Sequence, residues 1–238
     1  MTIVVPARDE EAVIGRCLDS LSVAQERLRE RRPDVAVEVV VVLDACTDGT
    51  AEVVDRHPGV MTVAVVAARV GAARQAGIRL VTERAEQRAR DSDGEPHRGP
   101  AGHWVTNTDA DSTVPPSWLL DQLVLAEDGH DVVVGVVEPD PAELTNEVLA
   151  LWRGLHRLVD GHGHVHGANL SFRLSTYLAA GGFEPLAVHE DVRLVQRMRL
   201  LGARVCSTAQ VRVCTSARTT GRAPSGFASY LQGLREQQ

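Results

Sequence analysis

Short runs of β-branched apolar residues alternate along this chain with longer segments in which apolar positions recur every three or four residues. The first pattern is that of strands buried on both faces, and the second that of helices packed against them. Together they predict an α/β fold with a mostly parallel central sheet and helices on both faces. Strands are expected at Thr2–Pro6, Val37–Leu43, Met61–Val66, Trp104–Asn107 and Val132–Val137. Helical spacing is clear at Val13, Cys17, Leu18 and Leu21 and weaker at Ala72, Ala76, Leu80 and Arg84, which gives βαβαβα up to about residue 90. Beyond it, helices are expected near Pro116–Glu127 and Ala142–Val159, a strand near Gly167–Arg173, and two helices around Gly181-Gly182. The polar, Gly- and Pro-rich stretch DSDGEPHRGPAG between them reads as a mobile surface loop rather than a linker between domains.

Composition sharpens the picture. The 238 residues, 44% of them hydrophobic, suffice for one large core. A net charge of -7 argues against a nucleic-acid binder, whose affinity rests on neutralising phosphates with Lys and Arg. The chain contains no lysine, which excludes Schiff-base chemistry and a lysine-bearing phosphate loop. Cys17, Cys46, Cys206 and Cys214 are scattered rather than paired as CxxC, so free thiols in a reducing cytoplasm are expected and a zinc site is not. The N-terminus lacks the pattern of a signal peptide, and no apolar run approaches the roughly 20 residues that span a bilayer. The expectation is a cytoplasmic protein, with any membrane contact peripheral.

In open α/β sheets ligands bind at the carboxyl ends of the strands. Here those ends are polar and acidic: Pro6-Ala7-Arg8-Asp9-Glu10-Glu11, Asp44-Ala45-Cys46-Thr47-Asp48-Gly49, and Thr108-Asp109-Ala110-Asp111-Ser112. Asp9 and Asp48 read equally as helix caps or as ligand contacts. Asp109 and Asp111 alternate on a turning backbone and can present hard oxygen donors to one Mg²⁺ or Mn²⁺, with a diphosphate completing its shell.

The blocks VVPARDEEAVIGRCLDSL, VVVVLDACTDGTAEVV, GAARQAGI, NTDADSTVPPSWL, GANLSFRLSTYLAAGGF and HEDVRLVQRMRLLGARV, in this order, resemble glycosyltransferase family 2. The resemblance implies a Rossmann-like GT-A fold, a nucleoside diphosphate sugar donor of the UDP or GDP type, and inverting transfer to a hydroxyl acceptor. It implies that Pro6, Ala7, Glu10 and Asp44 line the nucleoside pocket, with Leu43 where a first acid often stands. Arg74 lies near the nucleotide, beside Gln75 in place of the usual Asn. The donor contacts include Asp109 and Ala110, with Asp111 as the direct metal ligand and Asp109 on metal, sugar or ribose. Glu190-Asp191 matches the acidic pair that supplies the base, Asp191 being the expected one. Acids also favour the first turn of a helix for electrostatic reasons alone. His166, Gly167, Asn169 and Gly182 fall on the acceptor side.

No histidine follows His189, although some family members place a late histidine on the metal. Thr215-Ser216-Ala217-Arg218 stands there, and residues 216–238 read as a flexible flap, whose Arg218 and Arg222 reach the diphosphate, followed by a helix. A solvated tail is the competing reading. The expected organisation is one domain, with a nucleotide-sugar half over 1–111 and an acceptor-side half over 112–215. Metal-dependent sugar transfer leads over a noncatalytic nucleotide-sugar binder. Nucleotidyl transfer is weaker, because PARDEE replaces a basic Gly-rich loop, and a dinucleotide oxidoreductase lacks its GxGxxG.

Overall fold

The structure is a computed structural model and describes residues 1–91, 102–156, 158–186, 188–218 and 232–233. Its strands are β1 (Thr2–Ala7), β2 (Glu38–Asp44), β3 (Val60–Val65), β4 (Trp104–Asn107), β5 (Ser112–Thr113), β6 (Val132–Pro139), β7 (Leu170–Arg173) and β8 (Val205–Thr215). The helices are α1 (Ile14–Arg31), α2 (Thr50–Asp55), α3 (Val70–Asp91), α4 (Trp118–Glu127), α5 (Asn146–Leu155), α6 (Leu174–Ala179) and α7 (Glu190–Leu200). Most of the expected loop after Arg90 and most of the expected C-terminal flap and helix, Arg222 included, lie outside the described residues.

One sheet carries the strand order β3-β2-β1-β4-β7-β6-β8-β5. The β1, β2, β3 and β4 neighbours pair in parallel, β7 runs antiparallel to both β4 and β6, and β8 pairs parallel to β6 and antiparallel to β5. Because successive side chains of a strand point to opposite faces, each central strand feeds two cores. Ile3, Val5, Val39 and Val41 pack with α1, α2 and α4 on one face. Val4, Val40 and Val42 pack with α3, α6 and α7 on the other. That double burial is why β1 and β2 read as continuous apolar runs.

Three elements depart from the sequence expectation. The helix expected over Ala142–Val159 is shorter: a 3-10 turn at Pro141–Glu143 comes first, and Thr145 caps α5 by accepting from the Val148 amide. The strand expected from Gly167 begins at Leu170, after a 3-10 turn at Gly167–Asn169. β8, eleven residues long, was not expected, and it extends the sheet from β6 to β5, while residues 1–111 and 112–215 meet where β4 pairs with β7. Among the described residues no helix is long and apolar enough to cross a membrane.

Helix α3 comes close to the sheet at Gly77, where a Cβ would lie 2.7 Å from a Val4 methyl and 2.8 Å from a Val42 methyl. Gly77→Val is therefore expected to destabilise the fold by about 1–3 kcal/mol through overpacking. Thermal unfolding checks this, and an unchanged midpoint would contradict the seating of α3 on β1 and β2.

Candidate active site

The loops after β1 and β2 are tied together before any ligand is considered. Asp9, held at a positive φ of 51°, accepts from the Thr47 amide at 2.6 Å and from the Thr47 hydroxyl at 3.1 Å. Asp48 accepts from the Glu11 amide at 3.0 Å, and Glu11 in turn accepts from the Gly49 amide at 2.7 Å. Asp9 and Asp48 thus act as loop formers. Asp44 is buried, and its Oδ1 accepts from the Ala67 and Ala68 amides at 2.7 and 2.9 Å, so it also shapes the turn after β3. Pro6 and Ala7 end β1, where the Ala7 carbonyl accepts from the Cys46 thiol at 3.4 Å.

The Asp109-Ala110-Asp111 turn follows β4 and is closed by the Ser112 amide donating to the Asp109 carbonyl at 3.0 Å. Ala110 is buried in the α1-side core, so its methyl packs and only its backbone can meet a ligand. The two acids diverge to different partners. Asp109 Oδ1 lies 2.6 Å from Arg74 Nη2. Asp111 Oδ2 lies 2.9 Å from Arg218 Nη2, while its Oδ1 accepts from the Thr215 hydroxyl at 3.2 Å. Burial, and then the nearby Asp109 charge, push the Asp111 carboxyl up to about 6.

Arg74, expected beside the nucleotide, has 3% of its side chain exposed, and its guanidinium bridges Asp109 and Glu190. A Cβ on Gly167 would overlap that guanidinium, so glycine is required there for steric reasons. Glu190, expected as part of the catalytic pair, is buried and paired with Arg74, whereas among the described residues Asp191 accepts only backbone amides, those of Gly167 and Val192. Burial pushes Glu190 above its ordinary value, and Arg74 opposes that shift. Asp191 opens α7 behind His189, whose φ is 64°, and its Oδ2 accepts from the Gly167 amide at 2.6 Å. Gly167 therefore touches both the brace and the expected base.

Arg218 was expected at the site, and it is there. It makes a forked pair with the buried Glu10, both N···O distances being 2.7 Å, and contacts Asp111 as well. Sequence reasoning gave Glu10 a nucleoside role and missed this pairing, because the two residues are 208 positions apart.

On the acceptor side the residues divide. His166 stacks in a row with His164 and His162, and burial pushes its imidazole down to about 4, so it is neutral at pH 7. Asn169 is buried. Its Nδ2 donates to the Val136 and Val211 carbonyls at 2.8 and 3.0 Å, and its Oδ1 accepts from the Trp118 indole at 3.0 Å, all within the core. Gly182, at a φ of 72°, packs against the Tyr177 ring, and its role there is a turn.

A family model described as glycosyl transferase family 2 matches residues 2–173. The chain belongs to glycosyl transferase family 2. Among curated proteins, none matches the sequence. Solved structures share the fold. TarS from S. aureus, in complex with UDP, superposes with a TM-score of 0.62 at 16% identity, over 91% of this chain and 60% of that one. The mannosyltransferase PcManGT from Pyrobaculum calidifontis, in complex with GDP-Man and Mn²⁺, gives 0.63 at 22% identity, over 99% and 60%. Glucosyl-3-phosphoglycerate synthase from Mycobacterium tuberculosis gives 0.53 at 16%, over 99% and 78%. At such identities the likeness is one of fold, and this chain spans about three fifths of the length of the first two.

Among the described residues no group of three or more His, Cys, Asp or Glu is arranged to hold a metal ion. The acid turn nonetheless fits a family-type divalent cation. It carries two hard carboxylate donors, Asp109 and Asp111, each paired here with an arginine. The remaining ligands would be phosphate oxygens and water, as is usual for Mg²⁺.

The raised Asp111 has a consequence for stability. Its value in the fold lies above the ordinary 3.8, so ionisation costs stability as pH rises from about 4 to 6. In metal-free, nucleotide-free protein, Asp111→Asn should be more stable than the parent by about 1–3 kcal/mol above pH 6. The difference should shrink near pH 4. Melting curves across that range check it, and a less stable variant at pH 7 would refute the assignment.

Proposed function

We propose that this chain transfers a sugar from a nucleoside diphosphate donor, of the UDP or GDP type, to a hydroxyl acceptor with inversion at the anomeric carbon. The single observation that carries the proposal is the buried Arg74, which ties the acid turn through Asp109 to the α7 N-terminus that bears Asp191. Donor diphosphate chemistry and a base for the acceptor are thereby held in one rigid frame. The fold relatives bound to UDP, and to GDP-Man with Mn²⁺, support the same donor class.

In this reading Glu10 and Asp44 stand at the nucleoside side and Asp109 at the sugar or ribose. Asp111 and Asp109 would hold Mg²⁺ or Mn²⁺, which when bound offsets the charge that develops on the departing diphosphate. Arg218 reaches the same oxygens by its forked donors. Asp191 accepts the proton of the attacking hydroxyl. The Gly167 amide on its Oδ2 and the Val192 amide on its Oδ1 orient that carboxylate. A direct displacement needs one base and one stabilised leaving group, and no second nucleophile. His166, beside Gly167, faces the acceptor in this reading. A noncatalytic nucleotide-sugar binder is the alternative.

Asp191→Asn separates the two. With Mn²⁺ and UDP or GDP sugars, the variant should bind donor within about threefold of the parent and lose transfer, or slow donor hydrolysis, by about 10²-fold or more, the range removal of a general base covers. A parent that binds donor but shows no transfer or hydrolysis for Asp191→Asn to abolish would favour the binding protein.

A further inference from the structure

Arg218 reaches the acid turn from a backbone that is pinned on several sides. Thr215 pairs with Ser112 at the end of the β8–β5 ladder, and the Ser216 amide donates to the Asp111 carbonyl at 3.1 Å. The Ser216 hydroxyl and the Ala217 amide both donate to Glu143 Oε2 at 2.8 Å, and the Ala217 methyl is buried against Trp152. The Arg218 amide is itself tied to the Ser216 hydroxyl at 3.2 Å. The flap expected from residue 216 thus starts with three anchored residues, and what is left to move at Arg218 is its side chain.

That side chain sits where a cation would have to go. Its guanidinium takes both oxygens of Glu10 and lies 2.9 Å from Asp111 Oδ2, while Thr215 donates to the other Asp111 oxygen. A divalent ion on Asp111 and a guanidinium on the same oxygen exclude one another, through like charge and through competition for the lone pairs. The guanidinium is 31% exposed, so it can turn without unpacking a core.

We propose that Arg218 is a side-chain latch on the cation site: it holds Asp111 in the empty protein, opposes binding of a divalent ion by itself, and transfers to the diphosphate when nucleotide and ion arrive together. The inference rests on the donor-site reading above. A diphosphate adds negative charge to a cleft where Glu10, Asp109, Asp111, Glu190 and Asp191 already outnumber Arg74 and Arg218, so it needs the ion. The ion needs Asp111 released. Arg218, once displaced, finds in the diphosphate a second forked acceptor in place of the one it gave up. Ion and nucleotide therefore favour each other's binding, and the coupling runs through one side chain.

The test is Mn²⁺ binding, read from loss of the free-ion electron paramagnetic resonance signal, with and without UDP or GDP. The intact chain should bind Mn²⁺ alone weakly and about tenfold or more tightly with nucleotide, within the usual range of coupling between sites. Arg218→Gln should bind Mn²⁺ alone about tenfold more tightly than the parent and lose most of the coupling. Arg218→Lys keeps the charge but not the fork, and should fall between them. If melting shows that Arg218→Gln does not fold, the lysine variant decides alone, and no gain over the parent overturns the latch. Equal Mn²⁺ affinity in parent and variants, with nucleotide still bound, overturns the latch and leaves the donor site standing. Failure of every form to bind UDP or GDP, with or without Mn²⁺, overturns both.

Discussion

A guanidinium removed from water has to be met by negative charge, and the rest of this site depends on how Arg74 meets that demand. With 3% of its side chain exposed, it holds Asp109 with one nitrogen and Glu190 with another. Removing one partner of such a buried arrangement costs about 3–5 kcal/mol, because the remaining charge is stranded. The demand propagates outward. Gly167 must lack a Cβ to admit the guanidinium, and a Cβ on Gly71 would run into the Glu184 carbonyl at 2.5 Å and crowd the Glu190 side chain at 3.0 Å. The acid turn and the start of α7 are then held at one spacing, and Asp191 inherits its position from it.

Arg74 and Arg218 share a chemistry and differ in freedom. Arg74 is enclosed by α3, the acid turn and the Gly167 turn, and its role is to hold. Arg218 is partly exposed at the end of a pinned backbone, and it contacts two acids that have uses elsewhere. In a chain without lysine, both roles fall to a group that stays charged at every relevant pH and binds oxygens in pairs.

Much of this was legible in the sequence. β1, β2 and β6 are runs of valine and isoleucine that only a doubly covered sheet accommodates, and the turns after β1, β2 and β4 carry the acids. β8 escaped notice because Val205–Thr215 interleaves its apolar residues with Ser, Thr, Gln and Arg, and because the strand breaks register against β6 between Val134 and Val136. The reach of α5 was overestimated because a 3-10 turn and a Thr145 cap use up the start of its apolar pattern. At the site, Glu10, Asp111 and Asp191 could be picked out because their type and place match a motif. The packing partners of Arg74, Glu190 and Asn169 could not be read, because whether a polar side chain faces a cleft or the core is decided by elements far away in the chain. Val136 and Val211 take both Nδ2 donors of Asn169 and Trp118 bonds its Oδ1, and none of them adjoins it in sequence.

β8 also sets the order in which the protein can be made. The acid turn is complete by Asp111, yet the side chains that engage it come from Thr215 and Arg218, and Glu10 waits 208 residues for its partner. A growing chain that stops short of β8 leaves Asp111 and Glu10 without these counter-charges on an unfinished sheet edge. During synthesis Asp111 and Glu10 therefore gain these partners only after β8 and the residues just behind it have been added.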